Sequence, residues 1–385
     1  MNENMKALII GVGAAGNKAV LTVQQMNAEI ALEDIILVNS TPKDIPADFA
    51  GTSIIISPDD SGCGKERTIA KEFTLTAIQS GKFDIAEKVE SYDIIIIVTS
   101  LEGGTGSGSA PIIAKYCNEV LGKNTHLIGF TGFEEDARGL QNTVEFFQEV
   151  GSNIMVQCIQ NKSFLKSCGG SKFKAEQAAN RELANRIRIL DGSLLRASEQ
   201  NIDSTDIYKV VNTNGYMTIE SETIKGSLDD VSNFNKLCEM MIYNSKSLKS
   251  SDPGQVRMAV IMNISPVSED FIDSNFTLLK DAYGYPYECF MHKQYDESQP
   301  EYIAFISSGQ KMPLDEVKAI YDRYVEESSK VSRSNDKFFD EVAGFKGNKD
   351  DNKFNMGRPT QKTTVNKADF MKQFQTKPTK NEKKG

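Results

Sequence analysis

The run Glu102-Gly103-Gly104-Thr105-Gly106-Ser107-Gly108 lies directly behind the strand-like stretch Ile94-Ile95-Ile96-Ile97-Val98-Thr99, and a helical pattern follows from Ser109. Its glycines and small hydroxylated residues leave backbone N–H groups bare ahead of a helix, where they can wrap an anion. A glycine-rich turn between strand and helix is the usual seat of a phosphate in an open α/β sheet. Taken alone, such a turn is also a tight connection that need hold nothing. Its weight comes from a second turn, Gly11-Val12-Gly13-Ala14-Ala15-Gly16-Asn17, between a strand at 7–10 and a helix beginning near Lys18.

The second turn satisfies G-x-G-x-x-G in the position of a dinucleotide fingerprint, which raises a nicotinamide-dependent oxidoreductase. The discriminating residue ends the next strand, at 35–38. A dinucleotide site takes Asp or Glu there for the ribose hydroxyls; this chain has Asn39-Ser40-Thr41, although Asn can still bond a ribose. A Walker-type loop fails because Gly64-Lys65 is followed by Glu66 rather than Ser or Thr. Two phosphate-cradling turns on one sheet point instead to a single nucleotide held from two sides.

With 385 residues the chain has room for two domains and an appendage. No apolar run reaches the roughly 20 residues of a membrane helix, and Met1-Asn2-Glu3-Asn4 does not open a signal peptide, so a cytoplasmic protein is expected. Six cysteines, at 63, 117, 158, 168, 238 and 289, form no C-x-x-C pair and read as reduced thiols rather than a disulfide frame or zinc site. Two histidines, His126 and His292, lie far apart, so no metal-ligating set of side chains is expected and histidine acid–base chemistry is not favoured. Charge is uneven. From Asn352 to Gly385 nine basic residues face two acidic ones, so a chain of net charge −9 carries +7 there and −16 elsewhere. An acidic body with a basic, apolar-poor tail suggests an unfolded arm that binds something acidic; a merely solvated tail is the plainer alternative.

Short apolar strands alternate with amphipathic helices through the first part of the chain. Strands are expected at 7–10, 35–38, 53–56, 94–98, 127–131 and 154–159, with helices such as 69–80 and 110–121 between them. This predicts an α/β, doubly wound, mostly parallel sheet over residues 1–172, with ligands at the strand C-terminal ends, where both glycine turns fall. A long central helix follows at 173–200, with Gly192 interrupting its pattern. A smaller α+β domain is expected over 201–310, with helices at 206–212 and 230–244 and strands at 257–263, 287–294 and 302–307. Pro313 opens a C-terminal helix within 311–333, with Asp315 and Glu316 in its first turn. Residues 334–385 read as a disordered basic tail.

Two glycine turns and a long helix joining two domains resemble the tubulin/FtsZ superfamily of filament-forming GTPases, over about residues 6–330. Gly103-Gly104-Thr105-Gly106-Ser107-Gly108 is similar to its G-G-G-T-G-S-G signature, with Glu102 replacing the first Gly. A carboxylate beside phosphates is unfavourable unless it turns away or faces Mg²⁺. The first turn resembles G-V-G-G-G-G-N, with Ala14 and Ala15 for two glycines. The resemblance implies that Gly13, Ala14, Ala15, Gly16 and Asn17, with Gly103, Gly104, Thr105, Gly106 and Ser107, surround the phosphates of GTP–Mg²⁺. Phe133-Glu134-Glu135-Asp136-Ala137-Arg138 is similar to F-E-G-x-x-R, implying that Glu134 holds the ribose and Arg138 lies near the nucleotide. Asn161 matches the Asn that reads the guanine edge, and Asn180 stands where the central helix carries its other base-reading residue. Arg181 stands where FtsZ proteins usually have Asp. The stacking aromatic is missing near Glu176; Phe173, one turn earlier, is the nearest substitute.

Asn201-Ile202-Asp203-Ser204-Thr205-Asp206 resembles the N-x-D-x-x-D loop that enters the next subunit of a filament. The resemblance implies that Asn201, Asp203 and Asp206 act in catalysis there, orienting water and cation for attack on the γ-phosphate. The phosphate cradle holds no base of its own, and phosphoryl transfer rests on positioning and charge, so carboxylates delivered from a neighbour can complete it. From this loop alone a helix cap is the simpler reading; with the other matches, catalysis outweighs it. The basic tail and the segment Val38-Asn39-Ser40-Thr41-Pro42-Lys43-Asp44-Ile45-Pro46 resemble TubZ, the branch of plasmid and phage partition systems. The turn 61–67 departs from the FtsZ pattern at the third phosphate loop. That branch implies a self-assembling polymer that binds GTP and GDP, segregates DNA, and meets a TubR-like DNA-binding adaptor through residues 352–385. FtsZ-like division proteins and phage-spindle tubulins are the alternatives within the superfamily; an NAD-binding oxidoreductase and a non-catalytic nucleotide-binding scaffold are those outside it.

Overall fold

A computed structural model describes residues 5–26, 30–193, 204–224, 231–264, 277–298 and 300–339. Residues 340–385, with most of the basic tail, lie outside them. The order begins β1 (Ala7–Val12), α1 (Gly13–Met26), β2 (Ile35–Asn39), β3 (Thr52–Ile55), α2 (Arg67–Gln79), α3 (Ala86–Val89), β4 (Ile94–Ser100) and α4 (Gly104–Lys115). It continues with β5 (Asn124–Thr131), α5 (Ala137–Glu149), β6 (Met155–Gln160), α6 (Lys172–Leu190), α7 (Ser204–Val211), β7 (Gly215–Thr223) and α8 (Val231–Tyr243). Then come β8 (Val256–Asn263), a short helix Thr277–Tyr283, β9 (Pro286–Gln294), β10 (Tyr302–Gln310) and a closing helix Leu314–Phe339.

One ten-stranded sheet runs β3-β2-β1-β4-β5-β6-β7-β10-β8-β9. Its first six strands are parallel. Ile94 to Val98 are fully buried, as a strand covered by helices on both faces requires. Alternate residues feed two cores. Leu8, Ile10, Ile95 and Ile97 pack with residues of α2, α4 and α5 and with Val317 of the closing helix. Ile9, Ile94, Ile96 and Val98 pack with α1 and with Ala179, Leu183 and Ile187 of α6. The strand order reverses between β1 and β4, which are neighbours, so the turns that follow them meet at the crevice such a reversal opens.

The second half of the chain is joined through the sheet as well as through the long helix. β7 pairs in parallel with β6 from Met155↔Gly215 to Gln157↔Met217, and the strands then splay. Arg186, fully buried on α6, fills the splay: its guanidinium donates to the carbonyls of Cys158 on β6 and Ile219 on β7 and pairs with Glu182 at 3.1 Å. Beyond it, Gln160 N–H donates to the Lys246 carbonyl. β7, β10 and β8 are antiparallel, and β9 closes the edge parallel to β8.

Three expectations change. α1 and α4 start inside the glycine turns, at Gly13 and Gly104, rather than at Lys18 and Ser109, so most of each glycine turn is already the first turns of a helix. α6 ends at Leu190, where Gly192 takes φ +78° and breaks the register. The closing helix continues past 332 to Phe339. No helix among the described residues is long and apolar enough to cross a membrane.

Candidate nucleotide site

The two helix N-termini at the switch point abut. Gly13 has φ +75°, and a Cβ there would come within 2.9 Å of the Gly106 nitrogen. Between them opens a cavity of about 330 Å³, lined by Gly13, Ala14 and Ala15 from one turn and by Gly103, Gly104, Thr105 and Gly106 from the other. Ser40, Asp44 and the segment Gly62-Cys63-Gly64 complete it. Thr105 and Ser40 share a hydroxyl–hydroxyl bond of 2.9 Å, which pins α4 to the loop after β2. The lining holds no cationic side chain and no histidine. Its attraction for an anion comes from bare backbone N–H groups and two helix dipoles.

Three expected phosphate ligands serve the walls instead. A Cβ at Gly16 would lie 2.4 Å from the Val98 carbonyl oxygen, so this glycine lets α1 rest on β4. Asn17 is fully buried and its amide donates to the Val38 carbonyl at 3.3 Å. The Ser107 hydroxyl donates to the Gly103 carbonyl. None of the three lines the cavity. Glu102 turns away from it too: its Oε1 accepts from the Gly132 N–H at 2.9 Å, and burial pushes its pKa up. The unfavourable encounter of carboxylate and phosphate is thereby avoided.

A smaller cavity of about 130 Å³ shares Ala15 and Ser100 with the first and is lined by Lys18, Phe130, Asn161, Glu176 and Asn180. Asn161 Oδ1 is buried with no hydrogen-bond partner among the described residues. Asn180 is 9% exposed beside it. Glu176 and Lys18 pair at 3.5 Å. Phe173 does not take the stacking place; it is 62% exposed and outside the lining, and the aromatic that lines this cavity is Phe130.

Glu134 and Arg138 line neither cavity. Glu134, at φ +59°, pairs with Lys162 at 2.6 Å, next to Asn161. Arg138 is drawn to the loop before α2, donating to the Lys65 carbonyl at 3.3 Å and pairing with Glu66. Lys65 in turn pairs with Asp136, which caps α5 through the Gly139 N–H and whose pKa Lys65 holds down. Segment 132–138 is thus an outer wall, tied by ion pairs to the loop beside the phosphate cavity.

Asp206 stands in the first turn of α7 and pairs with Lys209 at 2.7 Å. The Tyr208 hydroxyl of the same helix packs at Gly192, just beyond the end of α6. The other end of α6 lies by the cleft, where Lys172 pairs with Glu135. The 19 residues of α6 separate the two ends by about 28 Å at about 1.5 Å per residue. Glu176 and Asn180 of the same helix line the smaller cavity, and Asp206 stands in neither lining. Asn201 and Asp203 lie outside the described residues.

Several lining residues escaped the sequence reading as site residues, among them Ser40, Asp44 and Gly62–Gly64. Asp44 is the one carboxylate in the phosphate lining, held by the Asn39 amide at 3.2 Å. Its signal was its place in the loop five residues after Asn39. Among the described residues no group of three His, Cys, Asp or Glu could hold a metal ion unaided. A single carboxylate beside a phosphate cradle suits Mg²⁺, which binds through one or two carboxylates plus the phosphates themselves.

Residues 6–169 match the Tubulin/FtsZ family, GTPase domain. Cell division protein FtsZ of Mycoplasmopsis pulmonis (strain UAB CTIP) is 27% identical over 212 residues, 54% of this chain and 53% of that protein. The chain thus spans about half the length of this curated relative. Tubulin-like protein TubZ of Clostridium botulinum C phage is 22% identical over 351 residues, 88% of this chain and 89% of that one. CetZ2 from Haloferax volcanii, solved as a GTPgS-bound protofilament, superposes with a TM-score of 0.64 at 18% identity, over 85% of this chain and 100% of that chain. Residues 6–169 are therefore similar to the GTPase domain of the Tubulin/FtsZ family, in a chain with the tubulin/FtsZ fold.

Proposed function

We propose that this chain binds guanine nucleotide in the double cleft and hydrolyses GTP as copies of it stack end to end. The observation that carries the reading is the pairing of two abutting, glycine-opened helix N-termini with a pocket that holds the unpartnered Asn161 Oδ1. Guanine presents N–H donors on its pairing edge, and a buried acceptor without a partner is the complement they need. The phosphates then lie on the N–H groups of Gly13–Ala15 and Gly103–Gly106. Glu134 and Arg138 flank the sugar side. Asp44 would hold the Mg²⁺ that travels with the nucleotide, and this ion would neutralise charge on the γ-phosphate.

Catalysis is completed by a second copy. Asp44, the one carboxylate in the phosphate lining, is held by Asn39 and given to the metal above, and Asp206 lines neither cavity of its own cleft. Stacked head to tail, the end bearing Asn201, Asp203 and Asp206 would meet the next copy's cleft, where these residues orient the attacking water. The GTPgS-bound protofilament of CetZ2 supports such stacking. At the finer level we assign the chain to the TubZ branch, with polymer turnover moving plasmid or phage DNA and residues 352–385 engaging a TubR-like adaptor. Supporting this, the TubZ match extends over 88% of the chain and the FtsZ match over 54%.

Calorimetric titration with GTP, ATP and NADH tests the binding claim. GTP is expected to bind best, and Asn161→Ala should reduce the preference for GTP over ATP by about tenfold, the worth of one buried hydrogen bond. Binding of NADH in place of GTP would contradict the reading.

A further inference from the structure

We propose that Glu102 is a positioning residue for the cleft: its inward-turned carboxylate staples the segment 132–134 to the glycine turn and so sets the wall that faces the sugar. This rests on the nucleotide reading above and adds a role for the residue that departs from the glycine signature.

The carboxylate is held by the backbone of one segment. Oε1 accepts from the Gly132 N–H at 2.9 Å, and the Glu134 N–H also bonds the carboxylate. The space is shaped to it. A Cβ at Gly132 would lie 2.1 Å from Glu102 Oε2 and 2.5 Å from Cδ, and one at Gly139 would lie 3.1 Å from Glu102 Cβ. Glu134 is one of two non-glycine residues with positive φ among those described. A bulky residue keeps that conformation only where its surroundings over-determine it. Glu102 supplies part of that restraint at Gly132 and Glu134, and the Lys162 ion pair supplies the rest.

The same residue acts through its main chain. The Glu102 carbonyl accepts from the Asn142 amide at 3.0 Å, and that amide also donates to the Lys65 carbonyl at 3.1 Å. Glu102 thereby ties the glycine turn to the sugar wall by its side chain and, through fully buried Asn142, to the loop of Gly62–Gly64. Burial disfavours the charged form of this carboxyl, and the Gly132 and Glu134 N–H groups offset part of that cost.

The test compares affinities for GTP and 2′,3′-dideoxy-GTP by calorimetry, with thermal unfolding of each variant recorded alongside. The wild type is expected to prefer GTP, and Glu102→Ala to shrink that preference by about tenfold, the scale of one charge-assisted hydrogen bond. Glu102→Gln keeps an acceptor and should retain most of it. Gly132→Ala, whose Cβ strikes the carboxylate, should mimic Glu102→Ala in the wild-type background and add nothing to it in the double variant. General destabilisation weakens both nucleotides alike and leaves the ratio unchanged. An unchanged ratio in Glu102→Ala, no ribose preference in the wild type, or equal effects of Gly132→Ala in both backgrounds would overturn the proposal while leaving GTP binding intact. Failure of the wild type to bind GTP would overturn the cleft reading, and this role with it.

Discussion

His126 sits fully buried on β5, and burial pushes its pKa down to about 4, only partly offset by Asn212 beside it. The unfolded chain binds this proton more tightly. The stability of the neutral ring is therefore present above about pH 6.5 and is lost as pH falls through about 4, a swing of about 3 kcal/mol. Glu102 has the opposite sign: with a raised pKa, its contribution declines as pH rises. Urea midpoints of wild type and His126→Gln, compared between pH 6.5 and 4, should diverge, with the variant losing less. Parallel losses would contradict the account of this residue. Residue types alone could name the members of each glycine motif. They could not say that Gly16, Asn17 and Ser107 hold the walls while Ala14, Ala15 and Thr105 face the cavity, because side-chain direction follows from where each helix starts.

At the scale of elements, the parallel strands were legible because strands covered on both faces read as unbroken apolar runs, as at Ile94–Val98. β7 was not. Its sequence, GYMTIESET, mixes in Glu220, which is 1% exposed and bonded by the Ser245 hydroxyl and by the Lys246 and Ser247 N–H groups. A buried carboxylate with backbone partners disguises a core strand as a polar one. The short helix Thr277–Tyr283 has too few residues to display a period. The seam between β6 and β7 depends on Arg186, whose removal leaves buried Glu182 and Glu220 only the charge of Lys246, 3.4 Å from Glu182. Arg186→Met should cost about 3–5 kcal/mol in denaturant unfolding, the range for breaking a buried ion pair. A cost under about 1 kcal/mol would mean that strand pairing and the 245–248 segment hold the seam unaided.

Over the whole molecule, α6 lines the cleft through Glu176 and Asn180 and leads on to Gly192, against which Tyr208 of α7 packs, and one sheet crosses both halves. Asp206, paired with Lys209 on α7, stands outside the lining of the phosphate cradle. On the reading proposed above, each copy would supply half a site and stacking would complete it. The measurement that bears most directly on this is phosphate release from GTP across a range of protein concentrations, with light scattering read in the same cuvette. The rate per subunit should rise steeply above a threshold, together with scattering. Asp203→Ala and Asp206→Ala should still bind GTP and scatter, yet release phosphate slowly and leave persistent filaments. A rate per subunit that stays flat with concentration, or variants that turn over GTP like the wild type, would contradict a site assembled between copies.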